Sequence, residues 1–591
     1  MRASGHQFVL GALCAALVIA EEGHQQPLQG GGKEESKKGP FTEEYGKYVE
    51  QLVDEWHVPG VAIGIVDGDD IWTEKRTQLN LHNLQGYGIA TYPSTPVTPS
   101  TLFYCASTSK AFTAAALSIM IDSGNYTIPA LPGTPNRLNW NTPIHDIIPE
   151  DFVLTDPWAT THITIEDALS HRSGLPRHDK ASTHRVQDNN SNNNNNNNNS
   201  RPATIRDAVR SLRYLPLNEP PRTKWQYCNH MYVVATHVIQ TLTGRALGAV
   251  LRDWIWQPLG MHRTYFSLDD ALAAPEHLAD GYGWDRRAGS FVRVPHMATD
   301  EIGGAGAVMS GAGDYALWVR SLLRRGAGGG PVLSEAGHDA VTTPRVIVSP
   351  GEALASSARP YDSPLLYALG WETASYRGHK FWTHSGGMHA MGAEVFFFPD
   401  LDFGVVTLAN TAGSSNALGV IVTWGLVDDK LGVPKGERHD WSKDWEGWDE
   451  KEDAKIDKAV AKYYPHRPAE RIPPSLPLEA YTGTYFHPGY LNFTLELAAP
   501  DSTTRSGISL TATRTDATWP TFNEFEHVTG EYWMMYLQLL TNPRGPFKEY
   551  APAQFRVGAD GRVEALGITW LSTSGLGEDT VEGLVWFDKI A

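Results

Sequence analysis

An unbroken apolar run, Phe8 to Ala20, follows a single early cation, Arg2, and stops at Glu21 and Glu22. A spanning helix needs roughly 20 apolar residues, so this shorter run reads as a secretory signal peptide over residues 1–20. From 21 to 41 there is almost nothing to bury, and a disordered lead-in is expected. Folded sequence begins near Thr42. There "FTEEYGKYVEQLVDEW" has helical spacing, and "VPGVAIGIVDGDDIWTEK" has the β-branched runs and Asp-Gly punctuation of strands joined by a turn.

Further on, "AFTAAALSIMIDSG" is apolar on every face and ends at Gly124, as a buried central helix with a glycine terminator would. The tract "DNNSNNNNNNNNSRP", 188–202, has no core-forming residue and reads as a loop grown inside one domain, since closure entropy rises slowly with length. Between 434 and 475 the chain turns charged and then proline-rich, the composition of a linker. From 476 to 591, short aromatic and β-branched segments alternate with Gly, Asp and Pro, which predicts a C-terminal all-β domain of barrel or sandwich type.

Composition narrows the partners. The 591 residues are 41% hydrophobic and carry a formal charge of −18, which argues against nucleic acid and anionic membranes and in favour of a small-molecule or short-peptide substrate. No membrane association is expected once the signal is removed. Of three cysteines, Cys14 lies in the signal run, leaving Cys105 and Cys228, expected as two separate buried thiols rather than a disulfide. Asn125, Asn189, Asn198 and Asn492 head glycosylation sequons, which fit a secreted, extracellular protein.

The chemistry starts at "FYCASTSKAFTAAAL". Residues three apart share a helix face, so Lys110 should place its ammonium beside the Ser107 hydroxyl, and this is the sole Ser-x-x-Lys in the chain. A serine at a helix start, next to a desolvated lysine, is a nucleophile with a base. The bland alternative is a serine-rich cap followed by a solvated lysine. Downstream, Tyr227-Cys228-Asn229 precedes a helix-like run ending at Gly244, although Tyr490-Leu491-Asn492 has the same spacing. Then His384-Ser385-Gly386-Gly387 precedes two strand-like runs, where small residues let a substrate backbone lie alongside. On "HRSGLPRHD", His171, Arg172 and His178 are expected to brace the loop.

The order Ser-x-x-Lys, Tyr-x-Asn, His-x-Gly resembles the serine β-lactamase and penicillin-binding-protein superfamily, in particular its class C β-lactamase and DD-peptidase/D-aminopeptidase/esterase branch. Three supporting segments agree: "LSHRSGLPRHD", "GGAGAVMSGAGDYALWV" and "YALGW". The resemblance covers roughly 42–433. It implies an α/β (α+β) catalytic domain, an antiparallel sheet with flanking helices and a helical subdomain. It also implies Ser107 as the acylated nucleophile, Lys110 and Tyr227 in proton transfer, and Asn229, His384, Ser385 and Gly386 as substrate contacts. The backbone N–H groups of Ser107 and Gly387 would form the oxyanion hole, with no metal or cofactor. "YTGTYFHPGYLNFTLEL" resembles the lipocalin-like β-domain appended to some members, with a cleft-narrowing role or a spacer role both open. His384 departs from the lysine usual in β-lactamases, and a largely neutral imidazole holds a carboxylate poorly. A peptidase, esterase or amidase is therefore expected over a dedicated β-lactamase. An acyltransferase using the same acyl-enzyme, or an acylated sensor or binding protein that turns over slowly, are the alternatives.

Overall fold

The computed structural model describes residues 39–72, 86–128, 136–187, 200–325, 332–348, 360–498, 509–541, 549–572 and 580–590. The expected signal peptide, most of the lead-in and nearly all of the asparagine-rich loop, with Asn189 and Asn198, lie outside them. The described residues from 40 onward form one compact unit.

Among the described residues, ten antiparallel strands make one sheet. Its order is Val346–Ile347, Leu366–Tyr367, Glu372–Tyr376, His379–Met388, Met391–Phe398, Phe403–Ala409, Gly60–Asp67, Gly86–Thr91 and Thr95–Pro96, with Asp70–Trp72 folded back on Gly60–Asp67. Side chains alternate between the faces of a strand. Val61, Ile63 and Ile65 therefore meet Phe396, Phe398 and Val405 on one side, while Ala62 and Val66 meet Val395, Phe397 and Val406 on the other. Helices cover both faces. Glu43–Glu55 and Ser414–Lys430 bring Val49, Leu52, Val422 and Trp424 to the first; Ala312–Leu323 brings Tyr315, Ala316 and Val319 to the second. Covered twice, Met391–Phe398 and Phe403–Ala409 are buried at every position.

The helix Ser109–Ser123 runs through the centre and stops where Gly124 takes a left-handed φ of 62°. A second central helix, Asn229–Thr243, ends the same way at Gly244. Between them runs the Gly303–Gly306 segment. A Cβ on Gly304 would lie 2.2 Å from Thr113 Oγ1, so only glycine lets this backbone thread between the helices. Thr113 Oγ1 donates to Gly304 O, and Gly304 N donates to Thr236 Oγ1, at 2.9 Å each.

The C-terminal domain is a closed eight-stranded barrel. Gly483–His487, Leu491–Leu497, Ser509–Arg514, Thr521–Thr529, Tyr532–Leu539, Glu549–Val557, Val563–Ser572 and Thr580–Lys589 pair in sequence order, and the last returns to the first. Closure leaves no open edge. Its filling, including Tyr485, Phe493, Trp533 and Phe587, is continuous with the apolar core of the catalytic domain.

The charged segment 434–475 carries helices Trp441–Trp445 and Trp448–Tyr463. Trp441 stacks on Trp424 with ring centroids 4.9 Å apart, and Ile456 and Ala459 pack against Met534, Tyr536 and Tyr550 of the barrel. Ile456, Ala459, Val460 and Tyr463 recur at helical spacing; the charges that give this stretch the look of a linker lie on the remaining positions. Trp424 is fully buried at the meeting point of Tyr361, Tyr376, Phe381, Phe396, Phe398 and Trp441. Trp424→Ala should cost about 3–5 kcal/mol in a denaturant titration, the range for emptying an aromatic site in a core.

Candidate active site

Across Thr101–Lys110, Ser107 alone is not buried. Ala106 before it has a φ of +48°, a conformation disfavoured for a residue with a Cβ, and a 3₁₀ turn over Ala106–Thr108 leads into the helix. The strained turn turns Ser107 outward while its neighbours pack inward. One turn on, Lys110 is completely buried, and each N–H of its ammonium has an acceptor: Ser107 Oγ at 3.1 Å, Asn229 Oδ1 at 2.8 Å and Ala305 O at 2.7 Å. The Tyr227 hydroxyl donates to the same Ser107 Oγ at 2.7 Å. Tyr227 and Asn229 face the cleft while Cys228 and His230 are buried, the alternation of an extended segment entering a helix.

Burial, reinforced by the Arg177 cation, pushes Lys110 well below the usual lysine range. Burial pushes Tyr227 up, outweighing Arg177 and the bond to Ser107. The two neighbours of the serine oxygen are thus tuned apart: the amine gives up its proton readily and the phenol keeps its own. Such a pair can take a proton from the hydroxyl and deliver one to a leaving group.

The third motif lies on His379–Met388. Among the described residues, this strand beyond Thr383 pairs only with Met391–Phe398, which leaves its other edge open there. Ser385 and Gly387 are exposed on it; His384 and Gly386 turn inward. A Cβ on Gly386 would sit 2.4 Å from Cys105 O, so the strand lies directly against the nucleophile turn and brings the Gly387 backbone alongside that of Ser107. Nδ1 of His384 donates to Ser385 O at 2.7 Å, so Nε2 accepts from the Tyr367 hydroxyl at 3.0 Å. Burial and the Lys110 charge hold this ring down at about 3. His384, expected as a substrate contact, thus turns its ring inward with both nitrogens occupied, and Gly386, also expected as one, lies against Cys105.

Several residues that the motifs did not single out complete the site. Asp179 Oδ1 accepts from Asn229 Nδ2 at 2.9 Å, and its Oδ2 accepts from Arg177 Nε at 2.9 Å. The Arg177 guanidinium lies 4.7 Å from the Tyr227 ring centre. His171 Nδ1 accepts the Cys228 amide at 3.0 Å, and its ring packs on Tyr227 with centroids 4.3 Å apart. His171, Arg172 and His178 all brace, Arg172 through Glu166 and Asp167. The signal for Arg177 and Asp179 was present in "GLPRHD", but nothing local says what they face. Cys105 and Cys228 are separate buried thiols. Asn125 and Asn492 are exposed.

The sequence model of the family described as Beta-lactamase matches residues 46–420, well over half of the chain. The chain belongs to the beta-lactamase family. A second model, Domain of unknown function DUF3471, matches 467–581 of this beta-lactamase-family protein, covering most of the barrel. The chain is 38% identical over 539 residues to "Unguisins hydrolase ungD'" of Aspergillus campestris (strain IBT 28561), covering 91% of each protein. It is 37% identical over 560 residues to "Unguisins hydrolase ungD" of Aspergillus violaceofuscus (strain CBS 115571), covering 91% of this chain and 90% of the other. A penicillin-binding protein homologue from Pyrococcus abyssi, described as octameric, shares the fold at a TM-score of 0.52 and 16% identity, over 89% of this chain and 97% of that one. This beta-lactamase-family protein is a serine hydrolase of the β-lactamase-related type.

Nine described histidines, among them His384 at about 3 and His178 at about 4, are held down by burial, against one, His184, held up by Glu301. A histidine depressed in the folded state takes up its proton on unfolding, so stability is full above about pH 6.5 and falls as pH drops toward the folded value. His384 alone accounts for about 1.4 kcal/mol per pH unit. Glu582, pushed up to about 7, and His184 act in the opposite sense but are outnumbered. The urea midpoint should therefore fall as the pH drops from about 6.5 to 5.

Proposed function

We propose that this family member is a secreted acyl hydrolase working through a covalent ester on Ser107. The observation that carries this reading is the convergence of Lys110 Nζ and the Tyr227 hydroxyl on one serine oxygen. Unprotonated Lys110 takes the serine proton as Oγ forms its bond to the acyl carbon, and the carbonyl pair moves onto oxygen. The Ser107 and Gly387 N–H groups receive that charge. As the carbonyl re-forms, the bond to the leaving nitrogen or oxygen breaks, and Tyr227 supplies its proton to that atom. The proton held by Lys110 is then available to restore the phenol. Water repeats the sequence on the ester, releasing the acid and Ser107. Asn229 and Ser385 flank the acyl group. Glycans at exposed Asn125 and Asn492 belong to the same reading.

The substrate is a small molecule or short peptide with an amide or ester. The two relatives matched along nine-tenths of their length are named for hydrolysing unguisins, which makes unguisins the first natural compounds to assay. A neutral, occupied His384 supports a substrate that does not depend on a free carboxylate at this position.

Intact mass after a fluorophosphonate probe tests the nucleophile. Wild type should gain one adduct, mapped to Ser107; Ser107→Ala should gain none, and Lys110→Ala should react at least about 100-fold more slowly, the scale of general-base assistance. An unlabelled but folded wild type would favour the binding-protein alternative. For specificity, kcat/KM on nitrocefin should lie below that on a simple p-nitrophenyl ester or a D-amino-acid amide. The reverse order would make the protein a β-lactamase in activity.

A further inference from the structure

The segment Arg177–His184 has two faces with different partners. His178 turns to the barrel, where its Nδ1 accepts the Tyr490 hydroxyl at 2.6 Å, while its Nε2 donates to Pro216 O of the catalytic domain at 2.8 Å. Lys180 pairs with Glu549 at 2.8 Å, and its carbonyl accepts from Arg514 at 3.1 Å. Ser182 O accepts Thr518 N at 3.1 Å, and His184 N donates to Asp516 O at 2.9 Å. Asp179, between the first two anchors, and Arg177, just ahead of them, face the catalytic cleft. Through a 3₁₀ turn over Asp179–Ala181 the segment is tied to the barrel at His178, Lys180, Ser182 and His184, which fixes the direction of Arg177 and Asp179.

Resting on the base-and-nucleophile reading above, we propose that Asp179 and Arg177 are the positioning pair of the site. Asp179 fixes the Asn229 amide so that its oxygen meets Lys110, Arg177 seats the Tyr227 ring, and the barrel holds both through the loop. An ionised carboxylate only accepts hydrogen bonds, so Asp179 must be met by the NH₂ of Asn229, and the amide oxygen is thereby aimed at Lys110 Nζ. Burial opposes the Asp179 charge, but Arg177 and Asn229 outweigh it and hold the carboxyl below the usual range. The pair also sets the balance at the amine: Arg177 pushes Lys110 down and Asp179 pushes it up. The other groups facing Lys110 are Tyr227 and Cys228 of the second motif, Tyr232 of its helix, and the neutral rings of His171 and His384. From the barrel, Glu582 lies 3.9 Å from His178 and adds its charge to the field at Arg177.

The rate of fluorophosphonate labelling of Ser107, followed by mass on the full chain from pH 5 to 10, reads both effects. Removing the cation with Arg177→Gln should move the midpoint of the rate profile to higher pH, while Arg177→Lys should keep it at the wild-type position. Removing the anion with Asp179→Asn should move it to lower pH, with a plateau about tenfold lower because the Asn229 amide is free to turn. Opposite shifts are not produced by a loop that only braces the fold. If Asp179→Asn does not fold, the Arg177→Gln and Arg177→Lys pair decides the matter. Midpoints that stay together while labelling remains dependent on Lys110 overturn this inference alone. Wild-type labelling in Lys110→Ala overturns the base reading and this inference with it.

Discussion

A buried ammonium with three acceptors organises this molecule. Lys110 has no solvent to fall back on, and a desolvated cation is tolerated only where its hydrogen bonds are met. Its acceptors come from three separate stretches: the nucleophile turn, the head of the helix Asn229–Thr243, and the glycine segment ending at Ala305. Each must arrive for the cation to stay. The demand that makes Lys110 costly therefore also fixes where the second motif and the glycine segment sit, and the same desolvation pushes its amine well below the usual lysine range.

How much of this was legible in the sequence depends on distance along the chain. Ser107 and Lys110 are three residues apart, so helix periodicity alone brings them together, and the Gly124 and Gly244 terminators follow from local backbone preference. Individual strands and an all-β C-terminal domain could be anticipated from apolar runs and their punctuation, the antiparallel sheet only through the motif resemblance. The meeting of Tyr227 and Asn229 with Ser107 and Lys110 across 120 positions was legible only through the resemblance of the motif set, and the meetings across 50 were not legible at all. Asp179 pairs with Asn229 because the fold brings a loop against a helix start, and no periodicity encodes that. His384 stands in the expected place, yet its ring turns inward to Tyr367, a choice made by the side-chain alternation of its strand. The helix Trp448–Tyr463 was masked by charges that lie on its outer positions.

The two domains differ in what they contribute. The sheet and central helices supply the reactive groups, whereas the barrel makes its contacts one residue behind them, at His178 and Lys180. Between the two lies a cavity of about 260 Å³, with Asn229 and His230 from one side and Leu491 and Trp519 from the other in its wall; Ser107 is not part of it. The seam thus touches the second motif from the rear and leaves Ser107 to the open front.

Closure of the barrel by its final strand has a consequence for biosynthesis. Thr580–Lys589 pairs with Gly483–His487, so the cylinder cannot shut until residue 589 has cleared the ribosome. The catalytic domain, complete some 150 residues earlier, has to wait for that event before Tyr490, Arg514 and Glu549 are set against its loop. Translation thereby orders the assembly: Ser107 is made early, and the barrel contacts behind Arg177 and Asp179 can form only after residue 589.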